Sequence, residues 1–94
     1  MKIIGADKLE DCFDGSVVFG YRFDEAWERE TIMRLKSLGE VDYFPDFPRP
    51  FFRLRSKSGL QVKGVEGEST CRVIYSNEGK EVEKQSFEGL FVSG

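Results

Sequence analysis

Histidine is missing from this 94-residue chain. That absence removes Ser-His-Asp and Cys-His catalysis, Cys/His zinc sites and histidine pH switching together. Cysteine is scarce: Cys12 and Cys71 stand far apart and are the only two. A distant pair does not make a disulfide scaffold, and two thiols are too few for a four-ligand metal site. Acidic neighbours Asp11 and Asp14 disfavour a Cys12 thiolate, so neither cysteine reads as a nucleophile. Proline occurs three times, as Pro45, Pro48 and Pro50. A regular helix or central strand is therefore excluded at that one place.

Long apolar runs are also missing. No stretch approaches the ~20 apolar residues that cross a bilayer. Lys2 is followed only by Ile3 and Ile4 before Gly5, far short of a secretory apolar region. The expectation is a protein with no membrane association, with the cytoplasm as its default location. Gly64 and Gly67 do not open a helix as a phosphate-cradling loop would. Asp7, Glu10, Asp11 and Asp14 lack the spacing of a calcium loop and read as solvated surface. No metal or other cofactor is expected.

What is present is ordinary globular material. Hydrophobic residues make up 39%, aromatic residues 14% and charged residues 33%, and an aromatic content of that size argues against disorder. The length suits one domain, spanning residues 1–94, with one modest core. The net charge of −3 counts against a generic nucleic-acid binder.

Local patterning predicts an α+β fold. Lys2–Ile4 suits a short edge strand, Ala6–Phe13 one or two helical turns, and Asp14-Gly15 a turn. Ser16–Phe23 alternates, with Val17, Phe19, Tyr21 and Phe23 on one face and Val18, Gly20 and Arg22 on the other. Asp24 suits a helix N-cap, and acidic Glu25 and Glu28 suit the first turn that follows. Trp27, Thr31, Leu35 and Leu38 recur at helical spacing, with Ile32 beside them, so a helix is expected over Glu25–Leu38, ending at Gly39 and anchored by Trp27. Glu40–Phe44, Phe51–Ser56, Leu60–Val65 and Thr70–Ser76 read as strands, and Lys80–Leu90 as a second helix. Leu90, Phe91 and Val92 are too apolar for a free tail. The order implies a mostly antiparallel sheet of four to five strands with two helices packed on one face, ferredoxin-like or a variant of it.

Side-chain parity specifies the register of the later strands. Lys57-Ser58-Gly59 as a three-residue turn sets Leu54 opposite Val62 and Arg53 opposite Lys63; a two-residue turn would set Leu54 against Lys63. A turn at residues 66–69 sets Val62 opposite Val73 and Lys63 opposite Arg72. The apolar face then holds Phe52, Leu54, Leu60, Val62, Cys71, Val73 and Tyr75. The other face holds Arg53, Lys63 and Arg72 in one row, with Arg55 and Gln61 beside it and Phe51, Val65 and Ile74 at its rim. Like charges opposed across a sheet are mildly destabilising, so such a row asks for acidic neighbours or an anionic partner. Residues 49–63 contain Arg49, Arg53, Arg55, Lys57 and Lys63 and no acid, which leaves −8 on the rest of a chain of net charge −3.

The bland alternative is a solvated sheet face neutralised by acids of the same chain. The functional reading is a partner site made of Arg49, Arg53, Arg55, Lys63, Arg72, Phe47 and Phe51. Tyr43–Phe52 packs five aromatics among the three prolines, and aromatics with arginine favour interfaces. A non-enzymatic binding or accessory module is thus the leading expectation, with a protein partner. An anionic-ligand or nucleic-acid binder ranks next. Val18-Phe19-Gly20-Tyr21-Arg22-Phe23 has the aromatics of an RNA-recognition strand but lacks its basic-glycine start. A small enzyme or redox protein acting as an oligomer ranks third; the oligomeric state is not written in the sequence.

Overall fold

The computed structural model describes residues 1–91. Its chain forms strands β1 (Ile3–Asp11) and β2 (Val17–Phe23), helix α1 (Arg29–Arg34) continued by a 3-10 turn at Leu35–Ser37, strands β3 (Glu40–Phe44), β4 (Phe51–Arg55), β5 (Gln61–Val65) and β6 (Thr70–Tyr75), and helix α2 (Lys80–Gly89). All six strands make one sheet in the order β1-β2-β6-β5-β4-β3. Every neighbouring pair is antiparallel.

This overturns the expected fold class. The sheet has six strands rather than four or five. The helices are short, six and ten residues, and the ferredoxin-like arrangement of two helices packed on one face does not describe the chain. β3 to β6 form a meander of consecutive hairpins, and the β1–β2 hairpin joins it through β2 and β6.

Residues 1–15 depart furthest from expectation. In place of a short strand and helical turns they supply a nine-residue strand. The cause is a pair of irregularities in its register, between Ile3 and Gly5 and between Lys8 and Glu10. Each bulge inserts one unpaired residue, Ile4 or Leu9, and so erases the alternation by which a strand is recognised. The following turn is as expected: Asp14 Oδ1 accepts from the Ser16 amide at 2.9 Å and from Ser16 Oγ at 2.6 Å.

The first helix is shorter than its periodicity suggests. The backbone of residues 24–27 is already engaged. Trp27 N donates to Glu68 O at 2.8 Å, its carbonyl accepts from Gly67 N at 2.9 Å, and Asp24 N donates to Lys2 O at 3.0 Å. A first helical turn would need the Trp27 carbonyl for itself, so tertiary pairing overrides helix propensity here. Asp24 does not cap the helix; its Oδ1 accepts from Lys2 N at 2.7 Å.

The expected registers hold. Leu54 opposes Val62, Arg53 opposes Lys63, Val62 opposes Val73 and Lys63 opposes Arg72. Gly59, at φ +109°, supplies the left-handed residue that the β4–β5 turn requires. The core lies against the face that carries Tyr21, Phe52, Leu54, Val62, Val73 and Tyr75, joined by Trp27, Ile32, Leu35, Phe87 and Phe91. Trp27 sits near its centre, 4.7 Å from the Phe52 ring and 5.2 Å from Phe23. Leu90 is half-buried and Phe91 buried, while Val92 lies outside the described residues.

Polar groups at the core edge are satisfied. Tyr21 donates to Glu88 Oε2 at 2.7 Å, which leaves its oxygen to accept from the Tyr75 hydroxyl at 2.7 Å. Burial is the main reason both phenols titrate far above the ordinary range, so they remain neutral donors. Glu83, 5% exposed, accepts from Ser58 Oγ, Ser76 N and Ser76 Oγ at 2.6–2.7 Å. It ties the start of α2 to the β4–β5 turn and to the end of β6.

Candidate functional site

Six strands place six residues across the middle of the other sheet face. In spatial order they are Asp42, Arg53, Lys63, Arg72, Gly20 and Asp7, each paired with the next. A second row, one pleat away, runs Phe44, Phe51, Val65 and, beyond β5, Thr70, Arg22 and Gly5. Three basic residues are thus directly opposed between an acid at each edge.

A groove of about 580 Å³ opens on this face. Leu9 and Asp7 from β1, Gly20 and Arg22 from β2, Arg72 and Thr70 from β6, Lys63 and Val65 from β5, and Phe51 and Arg53 from β4 all line it. No residue of either helix lines it. The volume is within the range of about 300–1,000 Å³ typical of ligand sites.

Gly20 keeps the floor flat. A Cβ there would stand 3.1 Å from Leu9 Cδ1, so the bulged leucine leans over the position a side chain would fill. The bulge that obscured β1 in the sequence therefore also supplies an apolar wall. On the β4 side, Phe51 stacks on Phe44 with ring centres 4.7 Å apart, and Phe47 closes the cluster 5.2 Å from Phe51.

The charges divide into neutralised and free. Arg53 Nε pairs with Asp42 at 3.0 Å, and Arg55 reaches the same carboxylate at 3.7 Å. Arg53 also lies over the Phe44 ring at 5.8 Å. Arg49 pairs with Glu68. Among the described residues Lys63, Arg72 and Arg22 form no ion pair, and all three are exposed. With Arg53 and Glu68 matched elsewhere, the groove sets three cations against one remaining acid, Asp7.

The structure thus brings Arg53, Lys63, Arg72 and Phe51 to one groove. Arg55, Arg49 and Phe47 stand outside its lining: Arg55 shares Asp42, Arg49 is held at the β5–β6 turn, and Phe47 packs in the loop after β3. Sequence reasoning missed Arg22 and Leu9. Arg22 was on the correct face of its own strand, but nothing local says that β2 lies beside β6.

The thiols stand apart from this chemistry. Cys71 is buried, and burial pushes its thiol well above the ordinary cysteine range. Cys12 is half-buried in the turn after β1. Among the described residues no three potential metal ligands converge, and no helix is long and apolar enough to cross a membrane. No protein-family model matches the chain, no curated protein matches it, and no solved structure matches its fold.

Proposed function

We propose that this chain is a non-enzymatic binding module whose groove takes an acidic segment of a protein partner, one that also offers an apolar or aromatic side chain. The observation that carries this reading is the opposed pair Lys63 and Arg72. Both are exposed and without an ion pair among the described residues, beside the apolar surfaces of Phe51, Val65 and Leu9. Charge complementarity supplies register and encounter rate, and an aromatic anchor in the groove supplies residence time. An overall charge of −3 disfavours a long polyanion, which would meet repulsion beyond the groove.

The test uses a short fluorescein-labelled peptide of alternating aspartate and phenylalanine, with an oligothymidylate of equal charge as competitor. Peptide binding should fall by more than about tenfold in the Lys63→Glu, Arg72→Glu double variant, and should weaken as salt is added. Binding of the oligonucleotide without the peptide would replace this reading with a nucleic-acid one. Binding of neither would remove the groove as a site.

A further inference from the structure

Phe13 is the most exposed large apolar residue described, at 114% of its reference area. It stands at the tip of the β1–β2 turn between Asp11 and Asp14. The turn beneath it is well hydrogen-bonded: Cys12 N donates to Ser16 O at 2.9 Å, Gly15 N donates to Cys12 O at 3.0 Å, and Asp14 holds the Ser16 amide and hydroxyl. Phe13 is therefore held out into solvent by a defined turn. An aromatic ring between carboxylates is the complement of a groove that offers Phe51, Val65 and Leu9 beside Lys63, Arg72 and Arg22.

The tip cannot fill the groove of its own chain. It lies beyond Val17, the first residue of β2, whereas the groove begins at Gly20 and extends toward Arg22 at the opposite end of that strand. The full exposure of Phe13 likewise leaves it without a partner among the described residues of its own chain.

We propose that the β1–β2 hairpin tip of one copy seats Phe13 in the basic groove of a second copy. This rests on the groove reading above and names its occupant. Donor and acceptor are different surfaces of the chain, so copies add head to tail into chains or a ring, or exchange tips reciprocally as a two-fold pair. Asp14, and Asp11 with its share in the Lys8 ion pair at 3.1 Å, then meet Lys63, Arg72 and Arg22, which form no ion pair among the described residues.

Sedimentation velocity at rising protein concentration tests the contact. The wild-type chain should form species larger than one copy, and Phe13→Ser should weaken association about thirtyfold, as loss of a central aromatic anchor does. Lys63→Glu with Arg72→Glu should do the same from the other side. All three substitutions are at exposed positions, and circular dichroism will report whether each variant keeps the wild-type fold. The decisive arm mixes the two variants at a concentration where each alone is monomeric. One retains an intact groove and the other an intact tip, so the mixture should yield a dimer and nothing larger. A monomeric wild type, undiminished association of Phe13→Ser, or a mixture that stays monomeric would overturn the proposal. The same labelled peptide separates the two readings. If Phe13→Ser binds the peptide while the wild type does not self-associate, the groove stands and its occupant is another protein. If Phe13→Ser binds no peptide, both fall.

Discussion

Trp27 is joined to the sheet through three kinds of contact. Its ring packs among Phe23, Phe52 and Phe91, its indole Nε1 donates to Thr70 O at 3.0 Å, and its backbone pairs with Glu68 and Gly67. The sequence marks it as a core anchor because it is the sole tryptophan in an apolar stripe, but assigns it to a helix it does not occupy. Burial was legible from its size and surroundings; local conformation was not, because the partners at residues 67 and 68 are distant in sequence. Trp27→Ala should cost about 3–5 kcal/mol, the usual range for a large aromatic removed from a core. A urea denaturation curve reads this directly. A loss below about 1 kcal/mol would show that neighbouring rings collapse into the space.

At the scale of elements, legibility follows from how local the deciding interactions are. β4, β5 and β6 are joined by short turns, and the turn length plus alternation leaves a single register that keeps Leu54, Val62 and Val73 together. The same logic places Arg53, Lys63 and Arg72 in a row from residue parity alone. β1 is the counterexample, since its two bulges shift parity twice within nine residues. Helix α2 is legible in extent, though not in what secures it. Glu83, in its first turn, reaches back to Ser76 and across to Ser58, a tie invisible until β6 and the β4–β5 turn are known to be neighbours. Glu83→Ala would leave the Ser76 amide and both hydroxyls without their charged acceptor, so a loss of about 1.5–3 kcal/mol is expected. Ser58→Ala removes only one of those bonds and should cost less. Equal losses in the two variants, measured by thermal or urea unfolding, would show that the clasp acts through Ser58 alone.

Over the whole molecule, the two faces of the sheet differ in character: the groove with its cations occupies one face and the core lies on the other. Placing Lys63 directly opposite Arg72 is unfavourable in a folded chain that has nothing bound, because opposed like charges on adjacent strands repel. If the groove is the proposed binding surface, it weakens the free fold slightly, and that trade can be measured. Lys63→Thr with Arg72→Thr removes the repulsion and introduces β-branched residues suited to strands. At low ionic strength this double variant should be more stable than wild type by up to about 1 kcal/mol. In molar salt the charge contribution to the difference should shrink, since exposed charges are then screened within a few ångströms. The acidic peptide should bind the variant poorly under the low-salt conditions that favour its stability. If the variant is instead less stable than wild type at both salt concentrations, the two basic side chains support the fold through their stems, and their opposition is not a cost borne for binding.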